Sequence, residues 1–269
     1  MYSVCGVITI GISSQKGGVG KTTVSINLAY AFARAGRKVL IIDADPQGSV
    51  GLSLTRKTRE LKGFFDYLSD PNADFKSMVV PTRMDTLSLV PAGQGSEYDM
   101  SFGYEAPKSS KEGVKAFLKE ADKAGYDICI VDTAAGLFGV TQDALTEVDA
   151  VLVPQQAEPL GIRSMPKMLE ALKQVRSLSP KLQILGVVLT MVQKNLREST
   201  EACYGLRSIL PEKLVMMAEI PRGDVFIQAS ARGLPVGVLK EGQRVSEKFD
   251  ILRKEIEQKL LPQNNLTKG

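Results

Sequence analysis

The sequence predicts an α/β fold, a three-layer sandwich in which a mostly parallel central sheet lies between helices. Short β-branched runs alternate with longer segments of helical periodicity, which is typical of a parallel sheet covered on both faces. Three of these runs end in the polar motifs KGGVGKTT, DADPQG and DTAAG. The carboxyl ends of parallel strands meet at one edge of such a sheet, where ligands bind. We therefore expect one ligand site at that edge.

The N-terminal unit is predicted to be a strand, a glycine-rich loop and a helix. The strand is VITIGISS at residues 7–14, and residues 21–35 place Val24 and Leu28 on one helical face. Gly36 is expected to end that helix in the left-handed conformation.

The same alternation continues to the C-terminus and predicts a single domain over residues 1–269. Residues 93–110, rich in Gly, Ser and Pro, are expected to be a surface loop, and residues 262–269 a flexible polar tail. Further strands are predicted at 39–42, 86–93, 126–136, 149–156, 182–190 and 214–221, and further helices at 111–124, 162–177, 197–210, 225–232 and 242–261.

Composition narrows the kinds of site that the chain can build. Its 269 residues are 43% hydrophobic and 24% charged, which is ordinary for a soluble globular protein. The chain has no histidine, which excludes a Ser-His-Asp or Cys-His mechanism within it and any imidazole metal ligand. Cys5, Cys129 and Cys203 form no C-x-x-C pair, so we expect reduced thiols rather than disulfides or zinc ligands.

Charge and hydropathy indicate the compartment. The formal net charge of +4 is compatible with a nucleic-acid partner but does not establish one. The apolar run at residues 4–12 is too short to span a bilayer and lacks the basic leader of a signal peptide. We therefore expect a cytoplasmic protein.

Residues 15–22, here called the phosphate loop, match the pattern G-x-x-x-x-G-K-[ST] except that Gln15 replaces its first glycine. The glycines allow backbone N–H groups to point at phosphate oxygens, and the following helix adds its positive end. Lys21 is expected to reach the β- and γ-phosphates, and the Thr22 hydroxyl to bind Mg²⁺. Thr23 is placed to meet the α-phosphate. Lys16 is an additional cation that the common pattern lacks.

Three carboxylates follow the predicted strands. Asp132 ends the run ICIVD, as a carboxylate that binds Mg²⁺ through water would. Asp43 and Asp45 lie so close that they repel each other unless a cation is near. Because the chain has no histidine, a carboxylate is a candidate for orienting an attacking water. Gly136 would let the backbone approach a γ-phosphate.

Together these motifs resemble the ParA/MinD family of deviant Walker A ATPases, a class of P-loop NTPases, and most closely its ParA-type partition proteins. KGGVGKTT carries the family's signature lysine at Lys16, DADPQGS resembles its second motif and VDTAAG its magnesium motif. VVLTMVQKN and IPRGDVFIQASARGLPV fall where ParA-type proteins carry later segments. One departure is that Ala134 and Ala135 stand where the family often has prolines.

The resemblance implies an ATP hydrolase that forms an ATP-sandwich homodimer, with ATP and Mg²⁺ as cofactors. Lys16 would reach the partner subunit's nucleotide, Lys21 would act in its own subunit, and Asp45 would position the hydrolytic water, which makes these three the catalytic residues. The magnesium shell would involve Thr22, Asp43 and Asp132. The residues expected to contact ATP are Lys16, Gly17, Gly18, Val19, Gly20, Lys21, Thr22, Thr23, Gly136, Pro221 and Arg222.

ParA-type members bind double-stranded DNA nonspecifically in their ATP state, and a ParB-like or other activating protein stimulates a hydrolysis that is weak alone. The resemblance therefore implies a nucleoid-associated protein that positions a plasmid, a chromosome or a protein complex. Each candidate DNA contact is equally compatible with an ordinary solvated basic face. These candidates are Arg197, Arg222, Arg232, Lys240, Arg244 and Lys248.

Three alternatives use the same scaffold. A MinD-like membrane-associated ATPase would anchor through a C-terminal amphipathic helix, but Glu255 and Glu257 dilute the basic face, so we expect that helix to pack on the domain and no stable membrane association. Electron transfer, as in the nitrogenase iron protein, is excluded because no cysteine lies between Asp132 and Cys203. A metabolic ATP-dependent enzyme stays open.

Overall fold

The computed structural model describes residues 6–54, 61–70, 72–94 and 110–260. Most of the predicted surface loop at 93–110 and all of the predicted tail at 262–269 lie outside these ranges. Within them, the strands are β1 Ile8–Ser14, β2 Val39–Ala44, β3 Val80–Pro81, β4 Leu87–Val90, β5 Ile128–Ala135, β6 Ala150–Gln156, β7 Gln183–Val192 and β8 Val215–Pro221.

The helices connect these strands and cover both faces of the sheet. Short 3₁₀ turns occur at Glu212–Leu214, Val236–Val238 and Lys240–Gly242. The α-helices are α1 Lys21–Arg34, α2 Ser49–Leu54, α3 Phe64–Ser69, α4 Phe75–Met78, α5 Ser110–Lys123, α6 Gly139–Glu147, α7 Pro159–Leu178, α8 Arg197–Ile209, α9 Asp224–Arg232 and α10 Gln243–Leu260.

The eight strands form one sheet in the order β3-β4-β2-β5-β1-β6-β7-β8. Every neighbouring pair is parallel except β3 and β4, which are antiparallel. This confirms the predicted mostly parallel three-layer sandwich. Because β1 lies between β5 and β6, the loops that follow these three strands are neighbours at the carboxyl edge.

Alternate residues of each central strand face two separate hydrophobic cores. On β2, for example, Leu40 and Ile42 point into one core and Val39 and Ile41 into the other. Helices α3 to α8 cover the first face, and α1, α2, α9 and α10 cover the second. Burial on both faces explains why these strands are apolar without interruption.

The longer predicted helices are confirmed within a few residues. α1 begins at Lys21 as predicted, and Gly36 follows it with a φ of 85°. The helix predicted at 162–177 begins earlier, at Pro159, because proline is pre-organised for the first helical position. The patterns do not predict α2, α3, α4, α6 or β3.

The C-terminal helix packs against the domain, as expected. Leu252 and Ile256 of α10 are fully buried in the second core, whereas Ile251 is 41% exposed. α10 contacts both α1 and β8. Within the ranges given above, no helix is both long and apolar enough to cross a bilayer. The apolar residues that the membrane alternative needs are therefore largely used by the fold.

Candidate nucleotide site

The phosphate loop forms an open cradle between β1 and α1. Gly18 and Gly20 have φ values of 73° and 88°, in the left-handed region where a side chain would be strained. A β-carbon added at Gly17 or Gly18 would have no atom of the described residues within 4 Å, apart from those of its two chain neighbours. The space before the loop is a cavity of about 810 Å³, whose walls also include Asp45 and Phe138. An open loop at a helix N-terminus fits an anion.

Asp132 ties the first turn of α1 to the neighbouring strand β5. Thr22 Oγ1 donates a hydrogen bond to Asp132 Oδ2 at 2.7 Å, and Ser25 Oγ donates to Oδ1 at 2.6 Å. Lys21 is only 8% exposed, and the charge of Asp132 acts on its ammonium. The structure thus brings together the lysine, the hydroxyl and the carboxylate that were predicted from two distant motifs.

Burial controls the ionisation of this group. It raises the pKa of Asp132 to about 6, although the Ser25 and Thr22 hydroxyls and the Lys21 charge act in the opposite direction. Burial likewise lowers the pKa of Lys21, against the opposing effect of Asp132 and Asp45. The carboxylate is therefore poorly compensated by the protein, and an added cation would stabilise its charged form.

Asp43 lies beside Asp132, because the two are register partners on β2 and β5. It is fully buried, and its Oδ2 accepts hydrogen bonds from the backbone N–H groups of Val50 and Gly51 at 3.0 and 3.1 Å. Burial, then the charge of Asp132, raises the pKa of Asp43 well above its usual range. Asp43 therefore also holds the start of α2, while Asp45 lines the loop cavity.

The oxygen donors at this edge fit Mg²⁺. Hydroxyl and carboxylate oxygens, as in Thr22, Asp43 and Asp132, are the protein ligands that this hard cation prefers. No group of three or more Asp, Glu, Cys or His side chains in the described part of the chain is arranged to hold a metal by itself. Mg²⁺ commonly keeps phosphate and water ligands, so this donor set suits an ion that arrives with a nucleotide.

The segment after β5 passes beneath an aromatic ring. The N–H of Gly136 donates to the Ser14 carbonyl at 3.1 Å, and its φ is 101°. A β-carbon at this position would overlap the ring of Phe138, which is itself 43% exposed. The backbone conformation at position 136 therefore favours glycine, and any larger residue would also displace the Phe138 ring.

Lys16 does not point into its own loop cavity. Its ammonium forms an ion pair with the carboxylate of Glu158, which directly precedes α7. The two residues are 142 positions apart and meet because β6 pairs with β1. Phe138 and Leu160, at 43% and 54% exposure, follow β5 and β6 respectively. Lys16 thus lies on an exposed face, and an exposed apolar residue follows each of the two strands that flank β1, namely β5 and β6.

A second cavity adjoins the first. It measures about 610 Å³, lies between the ends of β7 and β8, and includes both Pro221 and Arg222 in its wall. Met191 lines the loop cavity, and the next residue, Val192, lines this one. Eight of the eleven predicted ATP contacts therefore line one or other of these two cavities, whereas Lys16, Val19 and Gly136 line neither.

The candidate DNA contacts are only partly brought together. Arg222 and Lys248 line the 610 Å³ cavity, which also contains Glu219. Arg197 begins α8, is 86% exposed and forms a 2.7 Å ion pair with Glu201 across one helical turn. The other three candidates are exposed: Arg232, Lys240 and Arg244.

Several residues join the site that no motif indicates. Ser25 could be found from its spacing, because it lies one helical turn after Thr22 on α1. Glu158 carries no local signal, since its contact depends on strand order, and the end of β7 is indicated only by the resemblance of VVLTMVQKN to a family segment. Val19 is fully buried, and its carbonyl is held from β7 rather than facing the cavity.

Comparison with known proteins identifies the family. Residues 7–184 match a family model described as an AAA domain. The chain is 35% identical over 232 residues to the chromosome partitioning protein ParA of Caulobacter vibrioides, a match that covers 84% of this chain and 85% of that protein. The chain belongs to the ParA/MinD family of partition ATPases.

Two further ParA/MinD-type matches extend over nearly the whole chain. The sporulation initiation inhibitor protein Soj of Bacillus subtilis is 32% identical over 253 residues, which are 92% of this chain and 97% of Soj. An ATP complex of a Cyanothece McdA variant has a TM-score of 0.79 at 23% identity and covers 96% of this chain and 99% of that one. At that identity the structural match shows the shared fold.

Proposed function

We propose that this chain is an ATP hydrolase that dimerises around ATP, binds DNA nonspecifically and positions a cargo under the control of a ParB-like partner. The observation that carries the proposal is the separation of the two lysines of the phosphate loop. Lys21 is buried in the wall of the loop cavity, whereas Lys16 turns to Glu158 on the exposed face. This separation supports a role for Lys21 on the nucleotide of its own subunit and for Lys16 on that of a second subunit.

Within one subunit, the loop would hold the nucleotide phosphates. The backbone N–H groups around Gly17 to Gly20 line the cradle, and Lys21 would neutralise phosphate charge. Thr22 and Asp132 would hold Mg²⁺ with Asp43 in its surroundings. The ion, when bound, would supply charge neutralisation at the β- and γ-phosphates. Asp45 lines the same cavity and is the carboxylate we assign to orienting the attacking water.

The base and sugar would extend into the second cavity. That cavity adjoins the loop cavity along β7, and its volume of about 610 Å³ is of the size that small-ligand sites have. Pro221 offers an apolar surface there and Arg222 a cation. This division would give roles to the loop residues of the first cavity and to Pro221 and Arg222 of the second.

Between subunits, the face around Lys16 would form the dimer interface. Exposed Phe138 and Leu160 would be buried in it, and Lys16 would leave Glu158 for the partner's phosphates. Hydrolysis of the γ-phosphate bond by water, followed by release of the inorganic phosphate, would remove the charge that attracts Lys16 and so weaken the dimer. DNA would bind the assembled dimer through some of the six basic candidates, and such a protein would associate with the nucleoid.

The proposal is tested first by sedimentation with ATP, with ADP and without nucleotide. We expect dimers only with ATP, a weaker dimer or slower hydrolysis for Lys16→Ala, and normal dimers without hydrolysis for Asp45→Ala. Lys240→Ala, which removes an exposed cation elsewhere, is the matched control. A Lys16→Ala variant that dimerises and hydrolyses ATP as the wild type does would remove Lys16 from the mechanism.

The second test measures binding to nonspecific duplex DNA in the same three nucleotide states. Binding through phosphate contacts should fall steeply with salt and should require ATP. Arg232→Ala with Arg244→Ala, two exposed residues that line neither cavity, should weaken it, whereas Arg197→Ala should weaken it less because Glu201 already pairs with Arg197. DNA affinity that is the same in all three states would refute the ParA-type function. ATP turnover that responds to a small metabolite instead would favour the metabolic alternative.

A further inference from the structure

The end of β7 contains an unusual backbone conformation beside the phosphate loop. Met191 has a φ of 53° and is, among the residues that the structure describes, the one non-glycine residue with a positive φ. Side chains other than Gly, Asn and Asp rarely adopt this region. Strain of this kind persists where the surrounding structure enforces it, and it concentrates at functional sites.

A β-bulge accounts for this conformation. Leu189 pairs with Glu219 on β8, and Val192 pairs with Pro221. Between these two pairs the chain advances three residues along β7 but only two along β8, so β7 contains one extra residue. The extra residue re-aims the side chains at the bulge, as bulges next to active sites commonly do. Thr190 faces the phosphate loop by ordinary alternation, two residues after Val188 of the second core and in register with Gln156 on β6, and the bulge brings Met191 to the same loop.

Both residues contact that loop. Thr190 Oγ1 donates a hydrogen bond to the carbonyl of Val19 at 2.8 Å, and both residues are buried. Met191 lines the 810 Å³ cavity, and its Cε lies 3.8 Å from where a β-carbon on Gly20 would be. The Thr190 carbonyl accepts from the N–H of Ala157 at 3.0 Å, which fixes the bulge to β6 as well.

We propose that Thr190 and Met191 are positioning residues for the phosphate loop. Thr190 fixes the Val19 peptide, so that the turn at Gly20 presents its N–H groups to the cavity. Met191 forms the wall beside Gly20 and limits where the phosphates lie. The strained backbone is retained because a regular β7 would turn the Met191 side chain away from the loop. The part of this inference that concerns ligand rests on the proposed function.

The first experiment measures the binding of Mg-ADP by calorimetry. Mg-ADP is chosen because it avoids ATP-dependent dimerisation. Thr190→Val keeps the side-chain shape but leaves the buried Val19 carbonyl without its donor, which we expect to weaken Mg-ADP binding about tenfold. Thr190→Ser restores the hydroxyl and should bind within about twofold of wild type. Met191→Gly relieves the backbone strain but removes the wall, so it should lose about fivefold in affinity without a loss of stability.

Thr9→Val is the matched control. Thr9 is also buried and its hydroxyl bonds to Asp149, but it lies near the start of β1, at the opposite end of the sheet from the loop. This variant should lower stability by an amount similar to Thr190→Val and leave Mg-ADP affinity unchanged. Equal losses of affinity in both valine variants would overturn the inference, as would wild-type affinity in folded Thr190→Val.

A second readout needs no ligand. Hydrogen exchange of the loop amides at residues 16–22 in the nucleotide-free chain should be faster in Thr190→Val and Met191→Gly than in wild type and Thr9→Val. Should Thr190→Val fail to fold, Met191→Gly decides the matter, and unchanged loop exchange in it would refute the inference. A wild-type chain that binds no Mg-ADP would refute the proposed function instead, while the exchange experiment would still decide this one.

Discussion

Replacing Glu158 by glutamine is expected to strengthen ATP-dependent dimerisation. The Lys16 ammonium is paired with the Glu158 carboxylate in the single chain, and this pair has to break before Lys16 can reach a second subunit. The two side chains are 33% and 29% exposed, and an ion pair with such exposure is worth about 0.2–1 kcal/mol. A symmetric dimer breaks two pairs, so its dissociation constant should fall about 2- to 30-fold.

Sedimentation equilibrium with a non-hydrolysable ATP analogue measures this constant. Glu170→Gln removes the same charge from α7, the helix that Glu158 precedes, where Glu170 pairs with Lys173 at 3.8 Å, and it should leave the dimer unchanged. In a Lys16→Ala background, Glu158→Gln should have no further effect, because the pair no longer exists. A Glu158→Gln variant that dimerises no better than wild type would show that Glu158 does not hold Lys16 back.

Three other predictions concern the same edge of the sheet. Because burial raises the pKa of Asp132 to about 6, its protonated form favours the folded state, and the contribution of Asp132 to nucleotide-free stability should fall by roughly 3 kcal/mol as the pH rises from about 4 to about 6. Burial also raises the pKa of Asp43, so urea unfolding should show a smaller fall in Asp132→Asn than in wild type, and parallel curves would contradict the assignment. Ser25→Ala removes a hydrogen bond that stabilises the charged form of Asp132, so the pKa of Asp132 should rise further and the midpoint of the stability loss should move to higher pH. A shift of that midpoint to lower pH would contradict the role given to Ser25. Phe138→Ser and Leu160→Ser should each weaken the ATP dimer several-fold, as measured by sedimentation. Tyr204 is 72% exposed on α8, so Tyr204→Ser is the control and should leave the dimer unchanged. Equal effects from all three variants would mean that the dimer face lies elsewhere.

Much of the fold follows from local pattern. Long amphipathic segments such as α1 and continuous apolar strands such as β2 carry enough residues for their period to be read. α2, α3, α4 and β3 contain six, six, four and two residues, too few for a period to emerge. Their conformation depends on what they pack against, as when the buried Asp43 holds the first residues of α2.

The residues of the candidate site likewise divide into those that the sequence predicts and those that only the tertiary structure reveals. The loop glycines, Lys21, Thr22 and Asp132 are predictable because each motif specifies its own backbone geometry: a turn before a helix, or a carboxylate at a strand end. Glu158 is not predictable, although it pairs with a residue of the best motif in the chain. Its contact with Lys16 exists only because β6 is the neighbour of β1.

The sequence by itself determines that a phosphate-binding loop, two lysines and three carboxylates meet at one edge of a parallel sheet, since those features are encoded within short segments. Tertiary structure alone decides what each group touches: Lys16 with Glu158, 142 residues away, and Val19 with Thr190, 171 residues away. The reason is physical. Strand order and register join segments that are distant in the chain, as Thr190 and the phosphate loop show, and a bulge in β7 turns Met191 toward the same loop.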